Sequence, residues 1–230
     1  MFLLQERSRT YLGHVVGKGV VKPAPHNIKK IKEAKLPTTL EEVRSFTMLA
    51  SYYKKFIHGF MKIAHPLTEL MKLKGKKTKI KLNEEQIKAF DTLKERLTSE
   101  PVLQMPDFAK PFHVRTDMSN YAIGGVLFQY DDKQEERPIY FGSRVLNKTE
   151  RNYSASEREM LAIEYFVKYW KPYLWGTTFK VYTDHAPLRN IRTTKDLTRS
   201  AYHKHGRHEC SSTTSKIHKS FAGKLFIYLL

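Results

Sequence analysis

Three acids in this chain stand in settings that could carry chemistry. Asp117 closes the apolar run FHVRTD, Glu159 lies inside the amphipathic stretch SASEREMLAIEYFVKYW, and Asp184 closes the β-like run FKVYTD. A strand-end Asp, a helix Glu and a second strand-end Asp form a pattern that holds divalent metal ions for phosphodiester cleavage. That reaction needs an attacking water, an in-line leaving group and neutralised charge between them, which two ions about 3.5–4 Å apart supply. Magnesium is a hard ion that prefers oxygen, so clustered carboxylates, rather than His or Cys, are the expected ligands. Adjacent strands lie about 4.8 Å apart, so Asp117 and Asp184 sit side by side if their strands are neighbours. Glu159 then reaches across from a helix packed on the sheet.

Each acid also has an ordinary reading. Asp184 stands at a strand-to-helix junction, where Asp is a favoured N-cap. Asp117, followed by Ser119 and Asn120, fits a turn. Ser154 and Glu157 satisfy a capping box, which gives Glu157 a structural task. Glu159 is two positions on, about 200° around the helix, and that cap does not account for it.

The elements that would position these acids follow from pattern. Strands are expected at 112–116, 122–129 and 137–143, then a helix over about 155–171, a strand at 179–183 and a short helix near 186–191. This is an α/β order. The first half differs. Residues 10–21 read as a β-hairpin around Gly17 and Gly19, Pro23 and Pro25 stop the strand, and a short helix covers 27–34. Thr39 with Glu42 marks a capping box for a helix over 40–58 with an aromatic inner face. Pro66 restarts a short helix, 72–81 is a basic loop, and Asn83 with Gln86 caps a helix striped by Ile87, Phe90, Leu93 and Leu97. Pro101, Pro106 and Pro111 place a boundary near residue 105. From about residue 200 no apolar period remains, and the segment reads as loop or disorder.

The chain has 230 residues, 41 Lys and Arg against 23 Asp and Glu, a formal charge of +18 and a pI near 9.8. That balance points to a polyanion partner, first of all nucleic acid. One cysteine, Cys210, excludes an internal disulfide framework. The start is too short an apolar run for a signal peptide, and LFIYLL at the end is far short of the roughly 20 residues of a membrane span. A soluble intracellular protein with no membrane contact is expected.

The stretches HVRTDMSNYAIGGVLFQ, RPIYFGSRVLNKTERNYSASEREMLAI and FKVYTDHAPLRNI resemble the RNase H domain of gypsy-type LTR retrotransposon Pol polyproteins. TYLGHVV resembles the primer-grip hairpin of their reverse transcriptase, and EVRSFTMLASYYKKFIHGFMKIAHPLTELM the thumb and connection that follow it. The resemblance implies residues 1–27 as the end of the palm and primer grip, 28–105 as thumb and connection helices, and 106–199 as an incomplete RNase H domain. Residues 200–230 are then a divergent basic tail. The implied fold is α/β, an RNase H-like mixed sheet with flanking helices that lacks its last strand, preceded by a mainly helical region. Asp117, Glu159 and Asp184 match the catalytic acids. The resemblance implies two Mg2+ ions, cleavage of the RNA strand of RNA–DNA hybrids, and the rest of the Pol polyprotein as a partner. Tyr11, Gly13, His14, Lys54, Lys55 and Ser119 are candidate nucleic-acid contacts.

The departures are specific. Met118 replaces the usual Ala after the first Asp. Tyr130-Asp131-Asp132 lacks the spacer of the Tyr-x-Asp-Asp polymerase motif, so no polymerase chemistry is expected. The resemblance ends near Arg199, before the family's last strand and fourth acid, as a shifted reading frame, a mis-joined exon or a truncated copy would leave it. A weakened second metal site and an exposed sheet edge are therefore expected, with little or no nuclease activity. The alternative is a non-catalytic nucleic-acid-binding retroelement remnant. His203, His205, His208 and Cys210 suggest zinc, but their spacing does not fit a zinc site.

Overall fold

The computed structural model describes residues 8–75, 78–99, 101–183 and 225–229. Asp184, the expected helix near 186–191 and the His/Cys cluster lie outside them. The chain divides into two compact units, Met1–Met105 with Pro138–Ser143, and Pro106–Arg137 with Arg144–Leu230.

In the first unit, β1 (Arg9–Tyr11), β2 (His14–Gly17) and β3 (Val20–Pro23) form an antiparallel meander, and β4 (Leu103–Gln104) pairs with β3. The expected single hairpin is two. Leu12 and Gly13 have φ 44 and 70, and Lys18 and Gly19 have φ 52 and 73. Paired left-handed residues make the two-residue turns whose twist matches that of the strands. Helix α1 (Pro25–Glu33) starts earlier than expected because Pro25 occupies its first turn, where a missing N–H costs nothing.

Helix α2 (Leu40–Tyr52) is capped by Thr39 Oγ1, which accepts from the Glu42 amide at 3.3 Å. The Glu42 carboxylate accepts from the Thr38 amide rather than that of Thr39. The helix stops at Tyr52 instead of reaching 58, and a 3-10 turn, Lys54–Phe56, follows. Helix α3 (Phe60–Leu70) starts after left-handed Gly59 and contains Pro66 in its interior, contrary to the expected restart there. Proline removes one helical bond, but buried Phe60, Ala64 and Leu67 hold both sides of it in one helix. Helix α4 (Glu84–Thr98) carries the expected reciprocal Asn83–Gln86 capping box. Phe46 and Phe90 meet at 4.3 Å in a core that also holds Tyr53, Phe60, Leu67, Leu93 and Leu97.

The second sheet has the order β7-β6-β5-β8-β9, from β5 (Phe112–Met118), β6 (Ala122–Tyr130), β7 (Glu136–Val145), β8 (Phe179–Thr183) and β9 (Leu225–Leu229). β5 and β6 are antiparallel, while β5 with β8 and β8 with β9 are parallel, so the sheet is mixed as expected. The expectation of a missing last strand is corrected: Leu225–Leu229 lies beside β8 in register from Phe179↔Leu225 to Thr183↔Leu229. An uncharged LFIYL run satisfies the backbone groups that the edge of β8 would otherwise leave unpaired. Helix α5 (Ala155–Tyr169) packs on β5 and β6, and the short α6 (Lys171–Leu174) follows it. Among the described residues no helix is long and apolar enough to cross a membrane.

Candidate active site

The C-terminal ends of β5 and β8 lie side by side because the two strands are parallel neighbours. Their register pairs Phe112 with Phe179 and Arg115 with Tyr182. Asp117 is two residues beyond Arg115, and Asp184 is two residues beyond Tyr182 in sequence. In an open α/β sheet the carboxyl ends of the strands are where ligands bind.

Asp117 is exposed, and its register partner on β6 is Gly124, which presents no side chain beside it. Alternation along β5 puts Asp117 on the face of His113 and Arg115. Val114 and Thr116 share the face covered by α5. There Gly125, paired with Thr116, lies against the Phe166 ring.

Glu159 comes from the α5 side. Ser154 and Glu157 form the expected reciprocal cap, with Ser154 Oγ accepting from the Glu157 amide and the Glu157 carboxylate accepting from the Ser154 amide at 2.8 Å. The helix then buries Glu159, Ala162, Ile163, Phe166 and Val167. That spacing is one helical stripe, and a carboxylate heads it with only 3% of its surface exposed. Burying a carboxylate is costly without hydrogen-bond donors or a cation. Thr183 Oγ1, itself fully buried, donates to Glu159 Oε2 at 3.3 Å. Thr183 immediately precedes Asp184 in sequence.

Asp117 and Glu159 therefore serve the same end of the sheet from its two faces, and Asp184 lies outside the described residues. No three His, Cys, Asp or Glu side chains group as a metal site among the described residues. The donor chemistry of the two described acids fits a hard divalent cation: oxygen only, one carboxylate solvent-facing and one withdrawn from water.

Sequence reasoning did not single out Thr183 or Arg158, and gave Asn120 only a place in the turn after Asp117. A Thr precedes each strand-end Asp, at Thr116-Asp117 and Thr183-Asp184, but that repetition does not encode the bond from Thr183 to Glu159. Ser119, a candidate nucleic-acid contact, has its hydroxyl engaged within the β5–β6 turn. It donates to the Ala122 carbonyl at 3.0 Å and accepts from the Ala122 amide at 3.1 Å. Asp131 is likewise a turn residue, accepting from the amides of Lys133 and Glu135 at 2.9 Å each and from Arg137 Nε at 2.9 Å. Lys110 holds Asp132 at 2.7 Å.

Deeper on the Asp117 face, Arg115 makes a two-point ion pair with Glu136, at 3.0 and 2.5 Å. His113 packs against the rings of Phe128 and Tyr182, which also touch each other. Burial, with help from the nearby Lys180 charge, pushes its pKa down to about 4, so at neutral pH the ring is uncharged.

In the first unit, Gly13 lies in the β1–β2 turn, Tyr11 and His14 flank it, and the end of α2 holds that turn. Tyr52 donates to the Leu12 carbonyl, and Tyr53 donates to the Gly13 carbonyl at 2.8 Å. A Cβ on Gly13 would come within 3.1 Å of the Tyr52 ring, and φ is 70 there, so glycine fits the place. His14 stacks on Phe56, and burial lowers its pKa. Tyr53 and Phe56 are core residues, whereas Tyr52 is 49% exposed. Lys54 is exposed, and Lys55, half-buried over the Phe56 ring, has its pKa lowered by burial. Five of the six candidate nucleic-acid contacts thus lie in this unit, Tyr11, Gly13 and His14 at a turn held by the end of α2 and the two lysines in the 3-10 turn that follows that helix.

Residues 82–181 match the model of the RNase H-like domain found in reverse transcriptase. The chain is 43% identical over 187 residues to the retrovirus-related Pol polyprotein from transposon opus of Drosophila melanogaster, covering 77% of this chain and 18% of that protein. It is 40% identical over 204 residues to that from transposon gypsy of the same organism, covering 82% and 19%. The chain thus spans less than a fifth of the length of these curated relatives. Among solved structures, the foamy viral protease-reverse transcriptase in complex with dsDNA matches with TM-score 0.73 and 19% identity, over 98% of this chain and 45% of that one. Its complex with RNA/DNA hybrid matches with TM-score 0.73 over 96% and 29%. At that identity the likeness bears on the fold, and the fold is RNase H-like. Residues 82–181 are thus similar to the RNase H-like domain found in reverse transcriptase, within a chain that is similar over most of its length to retrotransposon Pol polyproteins.

Proposed function

We propose that this chain hydrolyses the RNA strand of RNA–DNA hybrids in a magnesium-dependent reaction, with Asp117, Glu159 and Asp184 as the metal-binding acids. The observation that carries this reading is the parallel pairing of β5 with β8, whose register partners Arg115 and Tyr182 stand two residues before the two aspartates. The hydrogen bond from Thr183 to buried Glu159 adds the helix acid at the same end. Similarity of residues 82–181 to the RNase H-like domain found in reverse transcriptase supports the substrate class, and the foamy viral structures of the same fold are described with dsDNA and with RNA/DNA hybrid.

Asp117, Glu159 and Asp184 would hold the ions. Bound magnesium supplies a polarised water nucleophile and neutralises charge on the phosphate. Asp117, on the solvent side, meets the incoming backbone. Glu159, withdrawn beneath the sheet end, keeps its carboxylate oriented through Thr183. With three acids instead of the family's four, turnover is expected to be slow and to need high magnesium. Cleavage of a labelled hybrid that requires Mg2+ and is lost in Asp117→Asn and Glu159→Gln tests the reading. Cleavage that persists in both variants contradicts it.

The first unit supports hybrid binding as a second role. Exposed Tyr11 and Tyr52, with exposed Lys54 two residues after Tyr52, present aromatic and cationic groups at the β1–β2 turn and the end of α2. Such contact is independent of sequence and weakens steeply with salt. Binding that survives EDTA while cleavage does not separates this role from the nuclease.

A further inference from the structure

Glu159 is tied to the β5–β6 turn through its neighbour in the chain. Arg158 Nη1 donates to Asn120 Oδ1 at 2.9 Å and lies 3.5 Å from the Ser119 carbonyl oxygen. Ser119 and Asn120 are the second and third residues after Asp117. The turn is stiff, because the Ser119 hydroxyl and amide both bond to Ala122. Arg158 Nε is buried without a hydrogen-bond partner among the described residues. Leaving a buried donor unmatched is unfavourable, so the direct bond to Asn120 is kept at a cost elsewhere in the same side chain.

We propose that Arg158 is a positioning residue for the divalent-ion site: by tying the first turn of α5 to the β5–β6 turn it sets the separation of the Asp117 and Glu159 carboxylates. The proposal rests on the metal-site reading above. The bonds of the Ser154–Glu157 cap run between residues of the helix end itself. Below Glu159 the helix is held by the apolar stripe from Ala162 onward. Between cap and stripe, Arg158 fixes the helix to the strand pair that carries Asp117, and Thr183 fixes it to β8. A planar guanidinium holds direction as well as distance, which a lysine ammonium does not. Groups that orient metal ligands from outside the ligand set typically change metal affinity by 10–100-fold when removed.

The test is Mn2+ titration of the full chain, by calorimetry and by the EPR signal of free Mn2+, beside a thermal melt of each variant. Arg158→Ala and Asn120→Ala should each weaken Mn2+ binding about tenfold or more. The double variant should be no weaker than Arg158→Ala, since both remove one tie. Arg158→Lys should recover only part of the affinity. Asn120 is exposed, so its variant decides the matter if Arg158→Ala does not fold. Wild-type Mn2+ affinity in a folded Asn120→Ala protein overturns the proposal, as does a lowered melting temperature with unchanged affinity in Arg158→Ala. If wild type itself shows no Mn2+ binding sensitive to Glu159→Gln, the metal-site reading fails first and this proposal falls with it.

Discussion

Replacing Gly125 with alanine drives a methyl group into the ring that fastens α5 to the sheet. An ideal Cβ at that position lies 2.8 Å from Phe166 Cδ2, 3.0 Å from Cγ and 3.1 Å from Cε2. Carbon atoms pack best at about 3.5–4.0 Å, so ring or strand must yield by several tenths of an ångström. Phe166 has little freedom to do so. It is fully buried, stacked on Trp170 at 5.0 Å and edge-on to Tyr165 at 5.1 Å. Overpacking of this kind costs about 1–3 kcal/mol. Loss of glycine freedom in the unfolded chain returns about 0.4–1 kcal/mol, which leaves a net destabilisation on the order of 1–2 kcal/mol. With a urea m-value of about 1–3 kcal/mol/M, the midpoint followed by tryptophan fluorescence should fall by roughly 0.5–1 M. In a Phe166→Leu background the same change should cost measurably less, because the clashing ring atoms are gone. An unchanged midpoint, or an equal penalty in both backgrounds, would refute the close approach of β6 and α5 and with it the placement of Glu159.

Three further outcomes are expected. Ser154→Ala removes the α5 cap and should cost about 1 kcal/mol in chemical denaturation; no loss would mean the first turn of α5 is held by other bonds. His113 titrates near 4 in the folded chain against 6.5 when unfolded, so between those values only the unfolded state takes up the proton. Stability should therefore fall as the pH drops from 6.5 to 4, by up to about 1.4 kcal/mol per unit from this group, and the slope should become shallower in His113→Gln. An NMR titration of the ring with a midpoint near 6.5 would contradict this. Deleting residues 225–230 strips β8 of one of its two partner strands, and light scattering should show aggregation that the full chain does not; a monodisperse, equally stable truncation would remove β9 from the fold.

Local chemistry made much of this architecture legible in the sequence. The Asn83–Gln86 and Ser154–Glu157 boxes announced α4 and α5 because their cap bonds run between near neighbours in the chain. The strands of the second unit were legible from short apolar runs between turn residues. What escaped depends on partners distant in sequence. Pro66 looked like a break because its local cost is visible, whereas the buried Phe60, Ala64 and Leu67 that outweigh it are seen only when packed. Residues 225–229 lie at the end of a tail with no pattern of its own, and their pairing with β8 is a contact across the residues between the two strands. In the site, Glu159 stood out because a carboxylate heads an apolar stripe. Thr183 and Arg158 did not, since their meaning lies in bonds to Glu159 and to Asn120 that no spacing rule encodes.

The most direct measurement is single-turnover cleavage of an RNA–DNA hybrid by the purified chain over a range of Mg2+ concentrations, beside Asp117→Asn and Glu159→Gln. Magnesium-dependent cutting of the RNA strand is expected in wild type, slow and rising at high Mg2+, with loss in both variants and retained hybrid binding. A folded wild-type chain that binds the hybrid but leaves the RNA strand intact at every Mg2+ concentration would contradict the nuclease assignment.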